Sequence, residues 1–356
     1  LPNRFALMEL LEAQRTAGDP DDHLAVFFID LDNLKIVNDG LGHSAGDRLL
    51  VAVAGELQRS AGSDTVARPG RDEFVVVSEG VGPDRALARA QQFLAAVQRA
   101  EVRGVSNHVS ASIGVATTTR VGSDAESLLR DADAAMYAAK RAGRARCAVF
   151  DEPLRQRVSR RFQLEAALRT TIEDDALTVA FQPVVSIDGG AVTGLEALCR
   201  WDQGSPADFI PIAEESGLIL PLGAQVLAKS LRSVVELRQA HPHLDGMRIG
   251  INVSARELDQ PDYAERTLDI IRSSGMPMDQ VVLELTESVL IDPRDEVDAT
   301  LGELRDAGVS LALDDFGSGY SSLTYLRRYP LDVLKLDISY TQAMVHDAET
   351  RVIVET

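Results

Sequence analysis

The sequence predicts an α/β protein with two domains, in which a mixed sheet flanked by helices is followed by a (β/α) barrel. Three observations predict this. A chain of 356 residues allows two cores, and 45% hydrophobic with 26% charged residues is ordinary for a globular protein. Short aliphatic stretches in the second half alternate with amphipathic helical segments, which is typical of parallel strands. Each stretch also carries a polar side chain at or near its downstream end.

The first predicted domain spans residues 1–151. Apolar runs predict strands at 24–29, 74–77 and 109–115, and amphipathic patterns predict helices at 47–60 and 126–142. Gly143 is a stop signal for the second of these helices. A charged stretch at 152–174 predicts a helical connector, and the second domain is then expected to span 175–356.

Candidate chemistry in the second domain lies at the ends of its predicted strands, 192–196, 249–252, 281–284, 309–315 and 333–335. The side chains there are Glu196, Asn252, Glu284, Asp314 with Asp315, and Lys335. The downstream ends of barrel strands meet at one mouth, so these groups are expected to converge. Their oxygens suit Mg²⁺ or Mn²⁺, and a two-metal site suits displacement at phosphorus. Lys335 could hold or deprotonate the attacking water, or neutralise a phosphoryl oxygen.

Composition excludes several classes of protein. A formal charge of -19 argues against binding to a nucleic acid polymer or an anionic membrane. Cys147 and Cys199 are too far apart in sequence to suggest a disulfide framework or a thiolate metal site. No apolar run reaches the roughly 20 residues that span a bilayer, so no membrane contact is expected from this segment. The expected location is the cytoplasm, where a preceding region could tether the protein to a membrane.

The second domain carries a series of recognisable motifs. In order, they are Glu196-Ala197-Leu198, Arg200-Trp201, Phe209-Ile210-Pro211, Asn252-Val253-Ser254, Glu284-Leu285-Thr286-Glu287, Asp314-Asp315-Phe316-Gly317-Ser318-Gly319-Tyr320 and Lys335-Leu336-Asp337. Residues 177–356 resemble the EAL family of cyclic di-GMP phosphodiesterases. The resemblance implies four ligands of a first metal, namely Glu196, Asn252, Glu284 and Asp314. It further implies Asp315 on a second metal, Lys335 activating water, Glu287 anchoring the Asp-Phe-Gly-Ser-Gly-Tyr loop, and substrate contacts from Gln182 and Arg200.

The first domain also carries motifs in a recognisable order. They are Phe28-Ile29-Asp30-Leu31-Asp32, Asn38-Asp39, Gly46-Asp47, Gly70-Arg71-Asp72-Glu73-Phe74 and Ala132-Asp133-Ala134-Ala135-Met136-Tyr137. Residues 1–151 are similar to the GGDEF family of diguanylate cyclases. By this resemblance Asp30, the Leu31 carbonyl, Asp72 and Glu73 hold metal and activate the 3′-hydroxyl of GTP. The implied nucleotide-binding residues are Asn38 and Asp47 for guanine, Gly70 in the hairpin, and Lys35, Arg68, Lys140 and Arg144 for phosphates.

The chain departs from both family patterns. Arg71 stands where the cyclase pattern has its second glycine, and its side chain either occludes the nucleotide or adds a phosphate contact. An inhibitory Arg-x-x-Asp site is not expected, because Asp64 is present while Ala61 takes the arginine position. The segment between Trp201 and Phe209 is shorter than is usual. The sequence ends after the sixth barrel strand, so we expect a fragment of a longer protein, inactive by itself as a phosphodiesterase.

These features predict a cyclic di-GMP phosphodiesterase that forms linear pGpG, with a degenerate first domain that senses GTP. Two alternatives stay open. One is a bifunctional enzyme that also makes cyclic di-GMP from two GTP, and the other is a non-catalytic receptor for cyclic di-GMP or GTP. The expected assembly is a homodimer.

Overall fold

The computed structural model describes residues 1–17, 19, 21–100, 109–120, 122–287, 289, 294–317, 329, 331–344 and 346–347. The chain divides into two compact units, Leu1–Arg160 and Arg161–Thr356. The division falls within a helix, α6, that spans Glu152–Glu173 in the predicted connector. Across the described ranges, no helix combines the length and the apolar character needed to cross a membrane.

The first unit is a five-stranded sheet with helices on both faces. Before α6 its elements are α1 Arg4–Thr16, β1 His23–Leu31, α2 Leu34–Leu41, α3 His43–Ala61, β2 Thr65–Ala67, β3 Glu73–Glu79, α4 Pro83–Gln98, β4 Ala111–Thr119, α5 Ala125–Arg141 and β5 Cys147–Val149. The strand order is β2-β3-β1-β4-β5. Strand β1 pairs antiparallel with both β3 and β4, and β4 pairs parallel with β5. The sheet is therefore mixed, as predicted.

Strand β1 is buried because helices cover both of its faces. Phe27 and Ile29 pack in one core with residues of α3 and α4, while Val26 and Phe28 pack in a second core with α1 and α5. Successive side chains of a strand point to opposite faces, so a strand between two helical layers is apolar throughout. This packing places Asp30, the next residue after Ile29, at the buried end of the central strand.

The second unit alternates strands with helices. Its elements after α6 are β6 Thr178–Val185, β7 Val192–Arg200, α7 Pro206–Ser216, α8 Ile219–Ala240, β8 Arg248–Val253, α9 Ala255–Leu258, α10 Tyr263–Ser274, β9 Val281–Thr286, α11 Asp295–Asp306, β10 Ser310–Phe316, β11 Val333–Leu336 and α12 Ile338–Ala343. Short 3₁₀ turns span Pro242–Leu244 and Met278–Gln280. The sheet order is β11-β10-β9-β8-β7-β6, which is part of a barrel. The predicted fold class is confirmed.

Strand β6 differs from the parallel pattern that the sequence predicts. It pairs antiparallel with β7, whereas β7 through β11 are parallel neighbours. Pro183 lies within β6, and proline is tolerated there because β6 is an edge strand of this sheet. The sequence pattern did not predict this strand, because it contains a proline and no helix separates it from β7.

One face of the second sheet packs against helices. Ile249, Ile251 and Leu283 belong to a core that also contains apolar residues of α8, α10 and α11. Since side chains alternate along a strand, the residues between them point to the other face. Gly250, Asn252 and Glu284 lie at these alternate positions. The candidate ligands therefore share the face that the helices leave uncovered.

Candidate functional site

Three strands of the second unit bring carboxylates together. Glu196 of β7, Glu284 of β9 and Asp314 of β10 each offer one oxygen, and these oxygens lie within 4.8 Å of one another. The Lys335 ammonium lies among them. Its Nζ is 3.2 Å from Glu196 Oε2, 2.5 Å from Glu284 Oε2 and 2.9 Å from Asp314 Oδ2. Parallel register produces this cluster, because it aligns the downstream ends of neighbouring strands.

Asn252 joins the same cluster from β8. Its Nδ2 donates a hydrogen bond of 3.1 Å to Glu196 Oε1, which leaves its amide oxygen as a further ligand atom. Gly250, two residues earlier, is required for the packing of the cluster. A Cβ at Gly250 would lie 2.1 Å from Glu284 Oε1, so no larger residue fits unless that carboxylate moves.

The electrostatics of the cluster suit a divalent cation. Burial raises the pKa of Glu284 to about 6, against the opposing effect of Lys335. Burial alone would lower the pKa of Lys335, but its hydrogen bonds with Glu284 and Asp314 raise it above its ordinary value. Three carboxylates and one ammonium sum to a formal charge of -2 when all are ionised. The hard oxygen donors and this charge fit Mg²⁺ or Mn²⁺.

Asp315 follows Asp314 in an irregular part of β10. The β10–β11 register shifts between Leu313 and Phe316, and Asp315 has a left-handed backbone with φ 53°. Burial, followed by the charges of Asp314 and Asp337, raises the pKa of Asp315. Asp315 is not one of the three acids whose oxygens lie within 4.8 Å of one another. This predicted ligand of a second metal lies next to the first site.

The predicted substrate positions lie on the neighbouring strands. Gln182 of β6 is directly opposite Glu196 in the β6–β7 register and is exposed. Arg200 ends β7, is exposed, and donates a hydrogen bond of 3.0 Å to the Cys199 carbonyl. Glu287 is buried directly after β9. The loop that Glu287 is predicted to anchor continues into residues 318–328, which lie outside the described residues.

In the first unit, acids meet at the end of β1. Asp30 of β1 is directly opposite Glu73 of β3, and the Leu31 amide donates to the Asp72 carbonyl at 3.1 Å. Lys140 Nζ lies 2.8 Å from Asp30 Oδ2. Burial raises the pKa of Asp30, an effect that Lys140 opposes, and burial likewise raises the pKa of Glu73. The structure thus brings together most of the predicted metal residues with one of the predicted phosphate cations.

The hairpin before Glu73 has a glycine, Gly70, where there is no space for a side chain. A Cβ at Gly70 would lie 2.1 Å from Glu73 Oε2, so a side chain there would displace that carboxylate. Arg71 is exposed, and its carbonyl accepts a hydrogen bond of 2.5 Å from Arg68. Arg68 therefore supports the hairpin.

One of the two predicted guanine-reading residues, Asn38, packs against a second glycine. Gly46 packs so closely against Asn38 that a Cβ would lie 2.0 Å from Asn38 Oδ1. Asp47 follows directly and is exposed, as is Lys35 on α2. Arg144 is exposed just beyond α5, in a left-handed conformation with φ 57°.

The structure places two further acids, Asp32 and Asp133, beside the acids at the end of β1. Neither was among the predicted site residues. Asp32 accepts hydrogen bonds from Ser112 Oγ at 2.8 Å and from the Ala145 amide at 3.1 Å. Asp133 lies near Glu73, and burial raises the pKa of Asp133. Its spacing of seven residues from Lys140 places both on one face of α5. That spacing was the available signal for Asp133.

Family models match both halves of the chain. The model of the EAL domain matches residues 165–356, and that of the diguanylate cyclase GGDEF domain matches residues 1–146. The cyclic di-GMP phosphodiesterase PdeR of Escherichia coli (strain K12) is 36% identical over 95% of this chain and 51% of its own length. The bifunctional diguanylate cyclase/cyclic di-GMP phosphodiesterase MucR of Pseudomonas aeruginosa is 35% identical over 99% of this chain and 53% of its own length. The chain thus spans about half the length of these relatives.

A solved structure shows the same fold over nearly the whole chain. The S helix-GGDEF-EAL structure of Vibrio cholerae LapD, bound to c-di-GMP, aligns with a TM-score of 0.61 and 17% identity. The alignment covers 98% of this chain and 82% of that chain. At this identity the likeness supports the fold.

Proposed function

Because the chain belongs to the EAL domain family and carries a GGDEF domain ahead of the EAL domain, we propose that it hydrolyses cyclic di-GMP to linear pGpG. The observation that supports this most directly is the group of Glu196, Glu284 and Asp314 around Lys335. Two relatives named as cyclic di-GMP phosphodiesterases are 36% identical to this chain. We include in this proposal that the chain acts on the same substrate as these relatives.

The residues of the cluster have distinct roles in this reaction. Glu196, Asn252, Glu284 and Asp314 would hold one divalent cation, and Asp315 would contribute to a second. Such a metal pair lowers the pKa of water and stabilises the entering and leaving oxygens at phosphorus. Lys335 can orient the attacking water or neutralise a phosphoryl oxygen from its position among the carboxylates. Arg200 has the forked donors that suit a substrate phosphate, and Gln182 would contact the substrate from β6.

The first domain is proposed to bind GTP and regulate the second. Gly46, the residue before Asp47, packs against the Asn38 side chain, and Lys140 pairs with Asp30 near the end of β1. These groups could read guanine and hold metal-bound phosphates without completing a cyclase reaction. Glu73 is the group that would activate the 3′-hydroxyl, and Arg71 beside it is the reason for favouring regulation over synthesis.

A bifunctional enzyme is the second candidate, because MucR carries that description and matches 99% of this chain. The exposed position of Arg71 is compatible with a nucleotide in the hairpin. Formation of cyclic di-GMP from GTP, lost when Asp72→Ala is introduced, would favour this candidate. If GTP gives no product with either metal, the regulatory role is favoured instead.

The test uses the full-length protein, since its relatives are about twice as long as this chain. Cyclic di-GMP is incubated with Mg²⁺ or Mn²⁺, with and without GTP, and nucleotides are separated by chromatography. We expect pGpG to form only when metal is present. Binding of cyclic di-GMP without pGpG formation would contradict the enzyme and support a receptor.

A further inference from the structure

Helix α7 contacts the segments that follow both β7 and β8. It begins with a capping box in which the Ser205 amide donates to Asp208 Oδ2 at 3.2 Å, and the Ser205 hydroxyl donates to the same oxygen at 2.6 Å. Phe209, one residue later, is fully buried and meets the ring of Trp201 edge-on, with 5.6 Å between ring centroids. Trp201 directly follows Arg200, the proposed substrate contact. The first half of α7 is therefore fixed against the end of β7.

The second half of α7 contacts the end of β8 through one hydrogen bond. Ser254 Oγ donates to Glu214 Oε1 at 2.6 Å. The Ser254 amide donates in turn to Glu257 Oε2 at 2.9 Å. Ser254 lies two residues after Asn252, at the turn from β8 into α9. The position of this turn depends on contacts outside its own strand.

Glu257 fixes the other side of this turn. Its carboxylate is buried against α8, where a Cβ at Gly223 would lie 1.9 Å from Glu257 Oε1. The turn after Asn252 is thus held by Glu257 on one side and by Glu214 on the other. A hydrogen bond to a negatively charged acceptor is stronger than a neutral one, and this bond is half-buried.

We infer that Glu214 is a positioning residue that keeps Asn252 in the geometry needed to bind metal. It acts through Ser254, and it touches neither metal nor substrate itself. The inference rests on the proposed function, because it assigns Asn252 as a ligand. Groups that orient ligands in this way typically change metal affinity by 10–100-fold when they are removed.

The experiment measures Mn²⁺ binding to the full-length protein by electron paramagnetic resonance, which detects the free hydrated ion. Glu214→Ala, Ser254→Ala and the double variant are compared with wild type, and melting temperatures are recorded in parallel. We expect each single variant to weaken Mn²⁺ binding about 10-fold or more. The double variant should bind no more weakly than Ser254→Ala, because both substitutions remove the bond to Glu214 and Ser254→Ala alone also removes the bond from the Arg256 amide.

Two further variants separate positioning from general destabilisation. Glu214→Gln keeps an oxygen that can accept from Ser254, so it should retain Mn²⁺ binding within about threefold of wild type. Glu215→Ala alters the next residue of α7 and removes an ion pair of 2.5 Å with Arg161. It should leave Mn²⁺ binding unchanged, even if it lowers the melting temperature.

The outcomes distinguish this inference from the proposed function. If wild type binds Mn²⁺ and Glu214→Ala binds it equally well, the positioning role is wrong while the metal site stands. An equal loss of affinity in Glu215→Ala would also overturn it, since the effect would then be one of helix stability. If wild type does not bind Mn²⁺, both the metal site and the positioning role are contradicted.

Discussion

At the residue scale, a single lysine compensates much of the repulsion in the second domain. Lys335 is within hydrogen-bonding distance of Glu196, Glu284 and Asp314. Without its charge, the three carboxylates, whose oxygens lie within 4.8 Å of one another, would lose the ion pairs that Lys335 makes with them. Lys335 is therefore expected to matter both for the reaction and for the ionisation of its neighbours.

Replacing Lys335 with Ala should abolish hydrolysis of cyclic di-GMP. The expected loss in kcat is about 100-fold or more, the range for removing one group that stabilises developing charge on an oxygen. The matched control is Lys229→Ala, which removes a lysine that pairs with Asp175 at 3.0 Å on α8. Both variants are assayed for pGpG formation in the full-length protein. Turnover by Lys335→Ala at the control rate would refute the role.

Substitution of two glycines of the second domain by alanine should have different effects, one on metal affinity and the other on stability. Gly250→Ala places a methyl group 2.1 Å from Glu284 Oε1, so that carboxylate must move. We expect about 10-fold weaker Mn²⁺ binding. Gly302→Ala, in the interior of α11, meets nothing within 4 Å and should stabilise the protein by about 0.5–1 kcal/mol. Mn²⁺ titration and denaturant unfolding measure the two effects, and unchanged metal affinity in Gly250→Ala would argue against the close approach.

At the element scale, the short helix α9 depends on a buried acid. Glu257 closes the capping box at its start and is buried against Gly223 of α8. Burial raises the pKa of Glu257 to about 7, although the hydrogen bond from the Ser254 amide opposes this. The folded protein therefore binds this proton more tightly than the unfolded chain does. Its stability should fall as the pH rises from about 4.5 through about 7.

The variant Glu257→Gln removes this pH dependence while keeping an oxygen that accepts from Ser254. Relative to wild type, its free energy of unfolding should increase between pH 5 and pH 8, by on the order of 2 kcal/mol. Urea unfolding at several pH values measures this. The control is Glu265→Gln, which neutralises an exposed acid on α10. A difference from wild type that stays constant with pH would show that Glu257 titrates normally.

At the scale of the whole molecule, each of the two units gathers its own group of charged side chains. The first unit gathers Asp30, Glu73 and Lys140 at the end of a mixed sheet, and the second gathers its carboxylates on the uncovered face of a partial barrel. A nucleotide that binds the first unit can regulate the second only if it favours one state of the protein. The proposed GTP dependence is therefore to be measured on the full-length protein.

GTP should accelerate hydrolysis of cyclic di-GMP by about fivefold or more, as is usual for coupled sites. Asn38→Ala should remove this acceleration, because it deletes a group proposed to read guanine. Initial rates of pGpG formation are measured against GTP concentration. ATP is the control nucleotide, since it carries the same phosphates with a different base. An equal effect of ATP would contradict guanine recognition by Asn38 and Asp47.

The sequence alone determined which chemical groups lie at the strand ends. Strand alternation acts within a few residues, and a barrel gathers the downstream ends of its parallel strands at one mouth, so the sequence predicted that Glu196, Asn252, Glu284, Asp314 and Lys335 converge. Three strands and two helices of the first domain were predicted from local patterns, whereas α1, α2, α4, β2 and β5 were not. The sequence motifs also pointed to the families of both domains, which the family models then matched.

Only the tertiary structure decided the contacts between residues far apart in sequence. The antiparallel pairing of β6, the approach of Glu284 to Gly250, and the hydrogen bond from Ser254 to Glu214 are of this kind. The burial of Glu257 against Gly223 is another. Each depends on strand register and on the packing of helices against the sheet, which fix distances to within an ångström. Local sequence patterns specify elements but not these distances, so such contacts emerge only in the folded chain.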